Sequence, residues 1–207
     1  MATVTPNRPS VVNLPNQLTA ARLALAIVLF GLIALQSWFW ATVVFALAAV
    51  TDWLDGYLAR KQGLTSALGR VFDPLVDKVL ICGAYIFLLG IGSQSGLLPW
   101  MVTVVVAREL IITGLRSYLE NRGVVFGADW LGKLKMGLQC AALFGIFAAL
   151  YSESVDLAVD FTWNLLRLRD GLIYAMLVAT ALSGLQYLWR AALLLQSPAD
   201  AEGSQGR

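Results

Sequence analysis

Two long stretches without any charged residue constrain this sequence most strongly. Residues 23–51 and 79–107 contain no Asp, Glu, Lys or Arg, and each stretch is 29 residues long. A helix that crosses a bilayer needs only about 20 apolar residues. Charged residues make up 14% of the 207-residue chain, whereas soluble domains average about 25%. We therefore expect an all-α integral membrane protein.

Further charge-poor stretches at 136–152 and 171–189, with polar, Gly or Pro turns between the apolar runs, predict six transmembrane helices. The predicted helices cover 17–36, 39–60, 71–90, 98–120, 131–151 and 171–196.

The remaining segments are expected to lie outside the bundle. Residues 1–16 are predicted to form an N-terminal segment with a juxtamembrane turn, and 197–207 a disordered tail. The six-helix domain is assigned to 17–196. Residues 152–170 suit either a surface amphipathic helix or a loop.

The distribution of basic residues predicts the orientation. Thirteen of the 15 Lys and Arg residues fall on the side of the N-terminus, and the other side receives only Arg167 and Arg169. Cytoplasmic loops are enriched in Lys and Arg, and six crossings return the chain to its starting side. We expect both termini, and the basic cluster, to face the cytoplasm.

The absence of histidine narrows the chemistry. The sequence contains no His and only two Cys, Cys82 and Cys140, both within apolar segments. Ser-His-Asp triads, histidine metal sites and histidine bases are excluded. Acid–base chemistry has to come from carboxylates, Lys or Tyr, and nothing in the sequence indicates a nucleic-acid partner.

Four acidic residues lie at the edges of the second and third predicted helices. Asp52 and Asp55 are three residues apart, Asp73 and Asp77 are four apart, and each pair therefore shares a helix face. With a short connection, the four carboxylates converge near the cytoplasmic surface, where divalent cations would offset their repulsion. Hard oxygen ligands without His or Cys indicate Mg²⁺ or Mn²⁺, and two ions are expected. The alternative is that these acids only pair with nearby Lys and Arg.

Several neighbouring residues suit a bound phosphate. Gly56 follows Asp55 within a helix, which favours close approach of a ligand. The small side chain of Ala59 leaves space on the same helix face. Arg60 is placed to hold a phosphate. At the first helix, Asn16 and Thr19 serve either as helix caps or as polar contacts for a ligand.

The pattern Asp52-x2-Asp55-Gly56-x2-Ala59-Arg60-x8-Gly69-x3-Asp73-x3-Asp77 resembles the full signature of the CDP-alcohol phosphotransferases. The resemblance implies a six-helix fold in which an alcohol attacks the phosphorus of a CDP-linked lipid and CMP leaves. It also implies roles for particular residues. One metal would be held by Asp52, Asp55 and Asp73, and the second by Asp52, Asp73 and Asp77. Asp77 would also be the general base. The CDP-lipid would be contacted by Gly56, Arg60, Ser66 and the turn at Asn16 and Thr19.

A second basic cluster is the candidate site for the acceptor. Arg108 and Arg116 lie in the fourth predicted helix, and Lys133 and Lys135 open the fifth. A phosphate-bearing acceptor needs such cations, although they also suit membrane anchoring. The segments NLPNQLTAARL, DPLVDK, ARELIITGLR and LGKLKMGLQ resemble the bacterial branch of the family that makes phosphatidylglycerophosphate. That branch implies CDP-diacylglycerol and sn-glycerol 3-phosphate as substrates, a homodimer, and the bacterial inner membrane.

Other functions remain open at this point. The acceptor could instead be inositol phosphate, serine or phosphatidylglycerol, although the last two would leave the basic cluster without a phosphate monoester to bind. A membrane prenyltransferase with Mg²⁺-diphosphate chemistry would require more helices and two separated Asp motifs. A transporter with an acidic site would favour midplane acids and an internal repeat, and neither is evident.

Overall fold

The computed structural model describes residues 14–62, 67–121 and 130–196, with side chains for 20–52, 75, 76, 78–120 and 130–194. Within these ranges the chain is all helical. The helices are α1 (Leu14–Ala34), α2 (Trp38–Gln62), α3 (Ala67–Leu89), α4 (Pro99–Asn121), α5 (Trp130–Ser154) and α6 (Val159–Gln196), with one 3₁₀ turn at Gly92–Ser95.

The start of α1 differs slightly from the prediction. The helix begins at Leu14, so Pro15 lies in its first turn, where the missing N–H costs nothing. Asn16 and Thr19 consequently lie inside the helix and do not form its cap. The helix therefore begins three residues before the predicted residue 17, because proline is tolerated at a helix start.

The larger correction concerns α6. We expected an amphipathic helix or loop at 152–170 and a helix from 171, but α5 continues to Ser154 and α6 begins at Val159. The 38 residues of α6 span about 57 Å at 1.5 Å per residue, well beyond a hydrocarbon core of about 30 Å. Asp160 lies in the first turn of α6, where a negative charge favours the helix. The charged residues between 160 and 170 therefore lie within α6 and do not mark a break before it.

Apolar length supports a membrane location. In the described chain, Trp130–Ser154 and Val159–Leu194 are long and apolar enough to cross a bilayer, and shorter apolar segments occupy Ala20–Ala34, Trp38–Asp52 and Lys78–Leu89. Large apolar side chains also point outward, such as Ile27, Leu185 and Trp189. A surface of this kind suits lipid contact.

The bundle is organised around two sets of helix contacts. α1 packs against both α2 and α3, while α6 packs along α5 and against α4. The core lies between these sets and includes the buried rings of Phe45, Tyr85 and Phe147. The hydroxyl of Tyr85 donates to the backbone carbonyl of Gln139 at 2.9 Å, which satisfies a polar atom inside the core.

Arg169 fastens α6 to the turn between α3 and α4. Its side chain is buried, Nη1 donates to the carbonyl of Gln94 at 2.8 Å, and Nη2 lies 2.8 Å from Oδ1 of Asp170. The guanidinium lies over Gly96, where an added Cβ would approach Nε to 2.8 Å. These contacts explain how Arg169 can be buried within α6, in the segment 152–170 that was predicted to lie outside the bundle.

We expect Gly96→Ala to destabilise the protein more than Gly92→Ala. Both glycines have a left-handed backbone, with φ of +72° and +75°, but a Cβ at Gly92 meets nothing within 4 Å. Each alanine pays about 1–2 kcal/mol for the backbone, and only Gly96→Ala also displaces Arg169, at about 1–3 kcal/mol more. Thermal unfolding in detergent measures both variants, and equal losses would contradict the role given to Arg169.

Candidate active site

The backbone places the four motif acids as the spacing required. Asp52 and Asp55 lie in α2, and Asp73 and Asp77 lie in α3, with both helices continuous through these positions. The i,i+3 and i,i+4 spacings therefore put each pair on one helix face. The side chains of Asp55, Asp73 and Asp77 lie outside the described residues, so their roles stay predictions.

Asp52 is held by an arginine that the sequence analysis assigned only to the cytoplasmic charge. Nη1 of Arg22 in α1 lies 3.1 Å from Oδ1 of Asp52, and the Arg22 side chain is 4% exposed against 30% for Asp52. An arginine buried among apolar helices is costly unless it is paired. The signal available in the sequence was its position, alone at the start of a 29-residue uncharged stretch.

The chemistry of the acids fits a divalent cation. The motif supplies only carboxylate oxygens, which hard cations prefer. One oxygen of Asp52 faces Arg22 while the side chain stays partly exposed, so the carboxylate is oriented and accessible. Among the described side chains there is no group of three or more possible metal ligands, because only one of the four motif acids belongs to that set.

A second buried cluster joins α4 to α5. Glu109, Lys135 and Gln139 are 7%, 5% and 2% exposed. The Lys135 ammonium donates to Oε1 of Glu109, and Nε2 of Gln139 donates to the same oxygen at 3.4 Å. Nη1 of Arg108 lies 3.3 Å from it. One carboxylate thus gathers two cations that the sequence predicted as acceptor ligands, and Gln139 is a member that the sequence analysis missed.

The guanidinium of Arg108 also contacts α6. Nη2 donates to Oγ of Ser183 at 3.1 Å, and Cζ lies 5.8 Å from the centroid of the Tyr187 ring. In the described part of the chain, the buried Nε of Arg108 has no hydrogen-bond partner. Buried donors are almost always satisfied, so this N–H is suited to a ligand.

The two clusters are neighbours. Lys78 directly follows Asp77 in α3, and its positive charge acts on both Glu109 and Lys135. Asp52 similarly acts on Cys140 of α5. Helices α2 and α3, which carry the motif acids, also pack against α4 and α5, which carry the cation cluster.

The other two predicted acceptor ligands are placed elsewhere. Arg116 is half exposed and pairs with Glu120 one turn later, with Nε 2.8 Å from Oε1. Lys133 is exposed, whereas Lys135 is buried. The structure does not bring Arg116 and Lys133 into the cluster with Arg108.

The residues predicted to contact the CDP-lipid are described only in part. Asn16 and Thr19 lie in the first turns of α1, and Gly56, Ala59 and Arg60 lie in the last third of α2. Their side chains, and Ser66 as a whole, fall outside the described residues.

Comparison with known proteins identifies the family. A family model described as CDP-alcohol phosphatidyltransferase matches residues 12–182. The CDP-diacylglycerol–glycerol-3-phosphate 3-phosphatidyltransferase of Bacillus subtilis is 40% identical over 148 residues, which cover 63% of this chain and 74% of that protein. A probable phosphatidylglycerophosphate synthase of Mycobacterium tuberculosis is 36% identical over 193 residues, covering 89% and 84%. The CDP-diacylglycerol–glycerol-3-phosphate 3-phosphatidyltransferase of Haemophilus influenzae is 32% identical over 181 residues, covering 85% and 91%.

In the described residues, which are all helical, an acidic motif lies beside a buried cation cluster, and two helices are long and apolar enough to suit a membrane protein. The chain belongs to the CDP-alcohol phosphatidyltransferase family, and it is an enzyme of that type. The resemblance drawn from the Asp52–Asp77 pattern is confirmed, and the prenyltransferase and transporter interpretations are set aside. The family is generally dependent on divalent metals.

We expect Arg22→Gln to lower the free energy of unfolding far more than Arg116→Gln. Arg22 forms a buried pair, and breaking such a pair costs about 3 kcal/mol, at the low end of the usual range because Asp52 is partly exposed. Arg116 forms an exposed i,i+4 pair, worth about 0.3–0.5 kcal/mol. Thermal unfolding in detergent compares the two variants. Equal stability of both would show that Arg22 does not hold Asp52.

Proposed function

We propose that this chain transfers a phosphatidyl group from CDP-diacylglycerol to sn-glycerol 3-phosphate, giving phosphatidylglycerophosphate and CMP. Relatives whose names state this activity or this product support the proposal. The observation that carries it is the buried cluster of Arg108 and Lys135 on Glu109, next to Lys78. Such a cluster suits a small phosphate monoester better than an uncharged alcohol.

We propose that the chain crosses the membrane six times, with both termini and the active site facing the cytoplasm. The basic residues gather on that side, and glycerol 3-phosphate is a water-soluble substrate that has to arrive from an aqueous compartment. CDP-diacylglycerol would enter laterally from the inner leaflet of the bacterial cell membrane, with its acyl chains between helices. A homodimer is expected from the family resemblance.

The acidic motif would hold the metal ions. Asp52, Asp55 and Asp73 are assigned to one divalent cation and Asp52, Asp73 and Asp77 to the second, with Mg²⁺ or Mn²⁺ the expected ions. When bound, these ions neutralise the charge of the diphosphate and of departing CMP. Arg22 contributes by orienting Asp52.

Residues around the motif would bind the nucleotide and lipid diphosphate. Gly56 and Ala59 leave the α2 face low enough for the diphosphate to approach, and Arg60 contacts a phosphate. Asn16, Thr19 and Ser66 supply polar contacts. These six assignments rest on the residue types and on the family resemblance, and they remain predictions.

The chemistry assigned to the chain is a direct displacement. Asp77 accepts the proton of the 1-hydroxyl of glycerol 3-phosphate, whose oxygen forms a bond to the lipid-bound phosphorus. The bond from that phosphorus to the CMP oxygen breaks, and CMP leaves with the electron pair. Arg108 and Lys135 hold the acceptor phosphate. Arg116 and Lys133, which the sequence also predicted as ligands of this phosphate, lie outside the cluster and are not assigned to it.

An acceptor panel tests the substrate. We expect the purified protein with CDP-diacylglycerol and Mg²⁺ to release CMP when glycerol 3-phosphate is added, and to release little with serine or phosphatidylglycerol, which lack a phosphate monoester. Inositol phosphate is the competing acceptor, since it carries the same group. CMP release with inositol phosphate alone would change the acceptor, and no release with any alcohol would remove the proposed reaction.

We expect Asp77→Asn to abolish most turnover while leaving the fold intact. An amide cannot accept the proton, and the loss of a general base typically costs about 100-fold or more in kcat. Single-turnover CMP release measures the rate, and retention of labelled CDP-diacylglycerol shows that binding persists. Near-normal turnover of this variant would rule out Asp77 as the base.

A further inference from the structure

Helix α6 presents three consecutive features to the side chain of Arg108. Oγ of Ser183 accepts a hydrogen bond from Nη2 at 3.1 Å. The ring of Tyr187, one turn later, lies 5.8 Å from Cζ, within the distance of about 6 Å at which a cation and a ring attract. Between them, Gly184 lacks the Cβ that would otherwise lie 3.2 Å from Cγ of Arg108.

We propose that Ser183, Gly184 and Tyr187 of α6 form a cradle that positions Arg108 for the phosphate of the acceptor alcohol. The proposal rests on the proposed function, because it requires Arg108 to bind that phosphate. Ser183 and Tyr187 are positioning residues that act through Arg108.

These contacts hold both the guanidinium and the aliphatic stem of the Arg108 side chain. Ser183 is itself oriented, since its hydroxyl donates to the carbonyl of Thr180 at 3.1 Å, so its oxygen points a lone pair at Arg108. Tyr187 is 8% exposed, which keeps water from competing at the ring face. The notch at Gly184 lets the aliphatic stem of Arg108 lie against the α6 backbone.

The geometry leaves donors on Arg108 for a ligand. Nη1 faces Glu109 at 3.3 Å and Nη2 faces Ser183, while Nε has no partner among the described residues. A guanidinium held on two sides loses little further freedom when it binds phosphate, and small misplacements of such groups are costly. The cradle should therefore affect the acceptor and leave the CDP-lipid unaffected.

The test measures KM for glycerol 3-phosphate, KM for CDP-diacylglycerol and kcat in matched variants. We expect Tyr187→Leu to raise KM for glycerol 3-phosphate at least about 5-fold and Ser183→Ala about 3-fold, with KM for CDP-diacylglycerol unchanged. Tyr187→Phe keeps the ring face and should restore most of the affinity. Tyr174→Leu changes an exposed tyrosine of the same helix and serves as the matched control.

Coupling to Arg108 provides the sharper readout. Arg108→Gln should raise KM for glycerol 3-phosphate at least about 10-fold, and adding Tyr187→Leu to it should cause no further rise, because residues that act through one group are not additive. Multiplied effects in the double variant, or an unchanged KM in both Tyr187→Leu and Ser183→Ala, would overturn the cradle. Ser183→Ala removes one oxygen and keeps the proposal testable if Tyr187→Leu fails to fold.

Comparing Arg108→Gln with the two α6 variants distinguishes a failure of this proposal from a failure of the proposed function. If Arg108→Gln raises KM for glycerol 3-phosphate and neither α6 variant does, the cradle alone is wrong. If Arg108→Gln also leaves that KM unchanged, Arg108 does not bind the acceptor, and both the acceptor assignment and the cradle are wrong.

Discussion

Every charge buried among these helices has to be matched by an opposite charge or a hydrogen bond, because an unpaired ion in an apolar interior costs several kcal/mol. Three pairings meet this requirement at different places: Arg22 with Asp52, Lys135 with Glu109, and Arg169 with Asp170. The first joins α1 to α2, the second joins α4 to α5, and Arg169 also joins α6 to the turn before α4 through Gln94. In a bilayer, apolar surfaces give little preference for one neighbour over another. The polar pairs therefore select which helices meet.

The same requirement divides the active site into two parts of opposite chemistry. The carboxylates of α2 and α3 suit cations, and the cluster of Arg108 and Lys135 on Glu109 suits a phosphate. Both substrates in the proposed reaction are anions, and they have to meet at one phosphorus atom. Separate partners for each anion reduce their mutual repulsion. Lys78, which follows Asp77 and acts on Glu109, lies where the two parts adjoin.

Sequence patterns predicted what is local and failed where helices meet. The uncharged stretches located most helices, and the i,i+3 and i,i+4 spacings located the acid faces. Lys133 and Lys135 were grouped because both open one helix, but two residues turn a helix by about 200°, and only Lys135 is buried. Eight residues separate Arg108 from Arg116, which is about 80° around the helix and about 12 Å along its axis. Which of these cations is buried depends on α5 and α6, and no spacing within α4 contains that information.

The acidic motif does not determine which acceptor alcohol reacts, and this is the reason for assigning a role to α6. All the acceptors considered react with the same CDP-lipid, so residues that hold the lipid diphosphate do not distinguish between them. Discrimination has to come from the groups that face the acceptor, and the position of a guanidinium depends on its surroundings as much as on its charge. Ser183, Gly184 and Tyr187 carry no ionic charge and form no recognisable motif, which is why sequence analysis found nothing in this part of the chain. A hydroxyl, a missing Cβ and an aromatic face nevertheless suffice to fix where Arg108 can place its donors.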